Sequence, residues 1–168
     1  ILLGLVGSEM CIRDSYYNAG ARVALVTAKD KLRALLGAGL SYNTGRAICF
    51  SSERADQSTE ATNGIDDVSA WLNRSVPDVY SAELSEFVFA AGVKLLTEWQ
   101  PDIMYLSTTD YIQHKFAPEQ KGALDFYTMV DGYLGQLDEL GAAIILTADH
   151  GMKPKHNKLG DPAVIYIQ

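Results

Sequence analysis

Short apolar runs recur along the chain and alternate with amphipathic helical patterns. Because these runs are rich in β-branched and aromatic residues and are apolar throughout, they are typical of buried strands in a parallel sheet that is covered on both faces. Five such strands are predicted, at residues 22–27, 47–50, 103–106, 143–147 and 164–167.

Two helical patterns separate the later strands. Residues 81–99 carry apolar side chains three or four apart, which predicts one buried stripe on an amphipathic helix. A second pattern begins near Pro118 and ends at Gly141. Residues 51–77 are polar and loop-like, with a short helical pattern at 68–72. Strands that alternate with helices indicate the α/β class, with a largely parallel central sheet flanked by helices.

The first fifteen residues differ from the rest. The string ILLGLVGSEMCIRDS has neither a helical nor a strand period, and GLVGSEMCIRDS resembles the translated adapter read-through found at the ends of environmental sequence assemblies. We therefore expect residues 1–15 to be a non-native segment. Residues 16–168 are then expected to be the central part of a single α/β domain, truncated at both ends. An ordinary N-terminal loop is the alternative interpretation of residues 1–15.

Composition excludes several classes of protein. The 168 residues include 14 Lys+Arg and 21 Asp+Glu, a formal net charge of −7, so the chain lacks the basic surface that nucleic-acid binding requires. No apolar run approaches the roughly 18 residues of a membrane span, so no membrane partner is expected. The two cysteines, Cys11 and Cys49, show no disulfide or metal-ribbon spacing, which predicts a reducing, cytoplasmic setting.

Candidate functional residues follow three of the predicted strands. In parallel α/β sheets, ligands bind beyond the carboxyl ends of the strands, so residues at these positions are expected to line one edge of the sheet. They are Lys29, Asp30 and Lys31 after the first strand, Asp110 and His114 after the third, and Asp149 and His150 after the fourth.

Two of these groups combine a carboxylate with an imidazole. Asp110 and His114 are four residues apart, so one helical turn would place them on the same face. Asp149 and His150 stand where a strand turns through Gly151. Either pair alone is common by chance, but two such pairs in a chain with three histidines favour a shared metal site. Imidazole and carboxylate without thiolate suit zinc, with manganese or iron as alternatives.

The motifs around these pairs resemble a known family. The run STTDYIQH followed by LTADHGMKPKH is similar to the metal-binding core of the alkaline phosphatase superfamily, in its nucleotide pyrophosphatase/phosphodiesterase branch. Within that branch, GARVALVTAKDKLR, AICFSSERAD and ADHGMKPKH resemble the phosphonoacetate hydrolases. The resemblance implies an alkaline-phosphatase-like fold, incomplete here, and an enzyme with two zinc ions. It implies hydrolysis of the carbon–phosphorus bond of phosphonoacetate to acetate and phosphate, a small anionic phosphonate as substrate, and a possible homodimer.

The resemblance also implies roles for three pairs of residues. Matched by position, these are Asp110 and His114 as ligands of one zinc, Asp149 and His150 as ligands of the other, and Lys29 and Lys31 as the lysines that hold the substrate carboxylate. Two cations beside a helix N-terminus oppose the helix dipole by about 0.3–1 kcal/mol each unless an anion binds there. Two solvated surface lysines are the alternative interpretation.

Three functional groups of the family have no match in this sequence: the nucleophilic threonine, a further aspartate ligand and a third histidine ligand. None of Thr27, Thr108 and Thr109 stands in the family's nucleophile motif, and His156, six residues past His150, fits a solvated loop better than the missing histidine ligand, so none of these residues receives a role. We therefore expect this chain to be inactive by itself and to bind zinc weakly. Two alternatives remain, a phosphodiesterase or nucleotide pyrophosphatase of the same superfamily, and a non-catalytic binding domain.

Overall fold

The computed structural model describes residues 3–163, with side chains from residue 11 onward. Its strands are β1 (Val23–Thr27), β2 (Ala47–Ser51) and β3 (Ile103–Ser107). Its helices are α1 (Leu3–Asn18), α2 (Asp30–Leu36), α3 (Glu60–Asn63), α4 (Val68–Leu72), α5 (Glu83–Glu98), α6 (Tyr111–Lys115) and α7 (Lys121–Glu139), with 3₁₀ turns at Tyr42–Thr44 and Ser52–Gln57. Among these described helices, none has the length and apolar character needed to cross a bilayer.

The described strands form a parallel sheet in the order β2–β1–β3. This confirms the α/β class and the first three predicted strands. Thr27, the last residue of β1, lies opposite Ser51 of β2 and Ser107 of β3. Because the strands end in register, the chain segments that follow them leave the sheet at one common edge.

Side chains of β1 alternate between two separate apolar clusters. Ala24 and Val26 belong to the larger cluster, which includes the buried stripe of α5. Val23 and Leu25 belong to the second cluster, together with Leu36 of α2. Every residue of β1 is buried because both faces of the strand are covered, which explains why its sequence is apolar without alternation.

The two long predicted helices are present as α5 and α7. Leu84, Val88, Ala91 and Leu95 are fully buried on α5, as their spacing predicts. At the contact between α5 and α7, the rings of Phe89 and Tyr133 stack with their centroids 6.1 Å apart. Arg74 joins the same contact, since its guanidinium donates to Glu86 Oε1 at 2.9 Å and to Tyr133 Oη at 3.1 Å. Burial, reinforced by a hydrogen bond to Glu86, raises the pKa of Tyr133.

The strand predicted at residues 143–147 is wrong. No strand occurs there in the part of the chain that the structure describes, and Ile145 is 94% exposed and Leu146 71% exposed. A strand persists only where its backbone groups pair with a neighbour, and this stretch has no ladder partner among the described strands. The strand predicted at residues 164–167 lies outside the described residues.

The polar segment at residues 51–77 is more ordered than its composition predicts. The helix predicted at 68–72 is confirmed as α4, and α3 and a 3₁₀ turn accompany it. Asp67 caps α4 by accepting from the Ala70 N–H at 3.0 Å, and Thr59 caps α3 by accepting from the Thr62 N–H at 3.2 Å. A helix of four residues such as α3 is too short to produce a readable apolar period, so the sequence pattern does not predict it.

The N-terminal segment also departs from expectation, since α1 continues from Leu3 across the proposed junction at residue 15 to Asn18. Arg13 is buried there and donates a hydrogen bond to the Leu36 carbonyl at the end of α2. Tyr17 donates from its hydroxyl to the Ser41 carbonyl at 2.8 Å. The loop proposed as the alternative for this segment is therefore wrong. Its non-native origin stays a prediction.

Candidate active site

The loops after β1 and β3 are tied together at the carboxyl edge of the sheet. The Ala28 N–H donates to the Ser107 carbonyl at 2.8 Å, which extends the pairing by one residue. The loop beyond Ser107 is anchored to α5, because the Thr109 N–H donates to Ser85 Oγ at 3.2 Å. Lys29 and Asp110 therefore follow neighbouring strand ends.

Local hydrogen bonds hold the lysine-bearing loop in one conformation. Thr27 Oγ1 donates to the Lys29 carbonyl at 2.8 Å, and Glu53 Oε2 accepts from the Asp30 N–H at 2.8 Å. The carboxylate of Glu53 thus meets the N-terminus of α2, where negative charge is favourable. Lys29 is half-buried and Lys31 is exposed.

Asp30 stands at the centre of a charged cluster beneath the two lysines. Arg33 donates to its two carboxylate oxygens at 2.9 and 3.2 Å, and Ser51 Oγ donates at 3.0 Å. Arg54 Nε lies 3.8 Å from Asp30 Oδ2. The hydrogen bond from Arg33 holds the pKa of the Asp30 carboxyl below its usual range, and Ser51 adds to the effect. Asp30 is among the candidate functional residues of the sequence, but its ion pair with Arg33 was not predicted, although a spacing of three residues on a helix indicates such a pair.

Asp110 and His114 come together as their spacing predicts. The His114 N–H donates to the Asp110 carbonyl at 3.0 Å, which closes one turn at α6. This turn brings His114 Nε2 to 3.0 Å from Asp110 Oδ2, with both side chains more than half exposed. An imidazole nitrogen and a carboxylate oxygen thus converge on accessible space.

Asp149 and His150 form a second pair outside the sheet. The His150 N–H donates to Asp149 Oδ1 at 3.0 Å, and His150 Nε2 lies 3.7 Å from Asp149 Oδ2. Across the residues that the structure describes, no three acidic, histidine or cysteine side chains gather closely enough to hold a metal ion. The four predicted ligands are thus present as two separate pairs, and their role as ligands stays a prediction.

The donor chemistry of each pair fits part of a zinc shell. Each pair offers one carboxylate oxygen and one imidazole nitrogen, both of which zinc accepts. A catalytic zinc usually takes three protein ligands and one water or substrate. Either pair therefore suits one side of an open zinc site.

Comparison with known proteins defines the class to which this fold and site belong. A model of the type I phosphodiesterase / nucleotide pyrophosphatase family matches residues 20–164, and the chain belongs to that family. It is similar to two crystal structures of phosphonoacetate hydrolase from Sinorhizobium meliloti 1021, one in complex with phosphonoformate and one with phosphonoacetate. Each is 68% identical, with a TM-score of 0.88, over 92% of this chain and 38% of theirs. The chain thus spans about two-fifths of the length of the proteins it matches.

Proposed function

We propose that this chain serves zinc-dependent hydrolysis of phosphonoacetate to acetate and phosphate, an activity exercised by a longer protein. The observation that carries the proposal is the shared sheet edge, where Thr27 of β1 pairs in register with Ser107 of β3. Because these strands end in register, Lys29 and Asp110 follow neighbouring strand ends, which supports a carboxylate site next to a phosphonate site. The similarity to phosphonoacetate hydrolase supports this substrate.

The two lysines are proposed to bind the substrate carboxylate. Lys29 and Lys31 follow a strand end whose backbone is fixed by Glu53 and Thr27, so their ammonium groups start from an ordered loop. Breaking the carbon–phosphorus bond leaves its electron pair on the methylene carbon, and that charge delocalises into the carboxylate. Paired lysines stabilise this enediolate as it develops, and a proton added to carbon completes acetate.

The Asp/His pairs are proposed to hold zinc. Asp110 and His114 would bind one ion, and Asp149 and His150 the other. Bound zinc stabilises charge on the phosphonate oxygens during the displacement at phosphorus. The nucleophile is not assigned to any residue of this chain.

The cellular setting is proposed to be the cytoplasm. Cys49, the cysteine outside the segment proposed to be non-native, is a buried free thiol. Thiols kept reduced are typical of that compartment.

The activity is tested with the gene expressed together with its flanking reading frame. Release of phosphate and acetate is measured from phosphonoacetate, and release of products from a nucleotide phosphodiester is measured in parallel. We expect turnover of phosphonoacetate, with kcat lowered about 10²-fold or more by Lys29→Ala. Lys121→Ala is the control, because that lysine is exposed on α7 and pairs with Asp125 at 2.6 Å.

Each other outcome contradicts part of the proposal. Turnover of the nucleotide ester alone would assign the chain to a nucleotide phosphodiesterase. A Lys29→Ala variant with weaker binding and unchanged kcat would limit the lysine to binding. Inactivity towards both substrates would favour a non-catalytic domain.

A further inference from the structure

The exposed side chain of Tyr80 contacts both the lysine that follows β1 and the tyrosine next to Asp110. Tyr80 precedes α5, and its side chain is 74% exposed. Burial of apolar surface therefore contributes little to holding the ring where it is. Lys29 Nζ lies 5.5 Å from the centre of its ring. The ring centre of Tyr111, the residue after Asp110, lies 6.0 Å from that of Tyr80 at an interplanar angle of 47°.

The backbone that carries Tyr80 is held in place by its own loop. Asp78 Oδ1 accepts from the Tyr80 N–H at 2.6 Å, and Ser81 Oγ donates to the Asp78 carbonyl at 2.9 Å. A tyrosine loses few rotatable bonds when it is fixed, so it presents a rigid surface at low entropic cost. The backbone of Tyr80 is thus held in place, while its ring contacts Lys29 of the loop after β1 and Tyr111 at the start of α6.

We propose that Tyr80 is a positioning and specificity residue for the substrate, an inference that rests on the proposed function. Its ring holds the Lys29 ammonium by a cation–π contact and forms a wall along the methylene group that joins the two anionic ends of phosphonoacetate. The carboxylate end would lie at Lys29, and the phosphonate end at Asp110 and His114. An anion without a carboxylate arm, such as inorganic phosphate, would gain nothing from this wall.

The test follows the lysine side chains in the full 168-residue chain. The protein is labelled with ¹³C-lysine, and the ¹Hε–¹³Cε signals of Lys29 and Lys31 are assigned with Lys29→Arg and Lys31→Arg. Phosphonoacetate and inorganic phosphate are titrated separately at constant ionic strength. Because Tyr80 is mostly exposed, its replacement leaves the fold intact, which far-UV circular dichroism verifies.

The proposal requires a specific pattern across the variants. Tyr80→Leu removes the ring-current shift of the Lys29 signal and weakens phosphonoacetate binding about two- to fivefold, without changing phosphate binding. Tyr80→Phe keeps the ring and retains both properties. Tyr127→Leu is the matched control, since Tyr127 is exposed on α7 and contacts Phe126 rather than a lysine.

Failure of this inference is distinguishable from failure of the proposed function. If the wild-type Lys29 and Lys31 signals respond to phosphonoacetate and Tyr80→Leu binds it equally well, Tyr80 has no such role and the proposed function stands. Equal weakening for both anions would also overturn the specificity role. If phosphonoacetate leaves the wild-type lysine signals unchanged, the lysine-binding part of the proposed function fails, and the role of Tyr80 fails with it.

Discussion

Replacing Asp30 with asparagine tests whether the charged cluster stabilises the lysine-bearing loop. Asp30→Asn keeps the size of the side chain but removes the negative charge that Arg33 and Arg54 face. The neutral amide also presents a donor to Arg33, which is itself a donor only, so one of their two hydrogen bonds is lost. We expect a less stable protein with its fold unchanged.

The magnitude follows from the burial of the pair. Hydrogen bonds to charged groups contribute about 1.5–3 kcal/mol, whereas fully exposed ion pairs contribute about 0–1 kcal/mol. The side chains of Arg33 and Asp30 are 25% and 19% exposed, which lies between these limits but nearer the buried one. Asp30→Asn should therefore lower the free energy of unfolding by about 1–2 kcal/mol at pH 7.

The stabilisation by Asp30 should depend on pH in a defined direction. The pKa of Asp30 is lowered in the folded state from its ordinary value of 3.8, chiefly by Arg33. Stabilisation from a depressed carboxyl pKa is fully present above the unfolded-state value and is lost as the pH falls through the folded-state value. The difference between wild type and Asp30→Asn should therefore shrink as the pH falls below about 4.

Urea unfolding followed by circular dichroism measures both quantities, at pH 7 and at about pH 3. Asp125→Asn is the control, because Asp125 is an exposed acid in an ion pair on α7, where loss of charge should change stability by less than about 0.5 kcal/mol. The reasoning is refuted if Asp30→Asn matches this control at pH 7. It is equally refuted if the full difference persists at the lower pH.

Three further predictions concern packing, alkaline stability and metal binding. Gly92→Val should lower the free energy of unfolding by about 1–3 kcal/mol in urea, because a Cβ at this position lies 2.7 Å from Leu106 Cδ1, and Leu106→Ala should relieve part of the loss. Burial raises the pKa of the Cys49 thiol from 9.0 to about 11, so wild type should lose stability as the pH rises from 9 towards 11, whereas Cys49→Ala should show a flatter profile in the same assay. Zinc affinity, measured by competition with a chromophoric chelator, should be weak. His114→Ala should lower this affinity further, because it leaves Asp110 without its imidazole partner. Tight stoichiometric binding of zinc would contradict the view that each pair supplies only part of a zinc shell.

The parts of the fold that sequence predicts are those whose signals are local. The apolar runs of β1, β2 and β3 and the periodic stripe of α5 each indicate burial within one segment, and the structure confirms them. In α7 the apolar period predicts the helix correctly but not its buried face, since Leu124 and Tyr127 of the predicted stripe are exposed. Residues 143–147 have the same local signal as β3 but form no described strand. An apolar, β-branched composition indicates that a segment is suited to a sheet. Strand formation also requires a neighbouring strand with which its backbone groups can pair.

The charged cluster around Asp30 was beyond sequence reasoning for a different reason. Its members come from α2, from the end of β2 and from the 3₁₀ turn that follows β2, and Ser51 is twenty-one residues away from Asp30 in the chain. Spacing along one helix can reveal the contact with Arg33, but it carries no information on which strand lies beside β1. Only the parallel pairing of Thr27 with Ser51 brings that hydroxyl to the carboxylate.

The difference between local and long-range contacts also explains why the structure assembles Asp110 and His114 at the sheet edge but leaves Asp149 and His150 apart from them. Asp110 and His114 meet through a single helical turn, and Lys29 follows the neighbouring strand end because β1 and β3 pair in register. These contacts need only elements that the sheet already positions. Joining Asp149 to them requires the preceding residues 143–147 to be held beside the sheet, and in the described chain those residues are exposed instead. The fold therefore joins Asp110 to His114 and sets Lys29 at the neighbouring strand end, whereas the proposed two-metal centre would also require Asp149 to be held at this edge of the sheet.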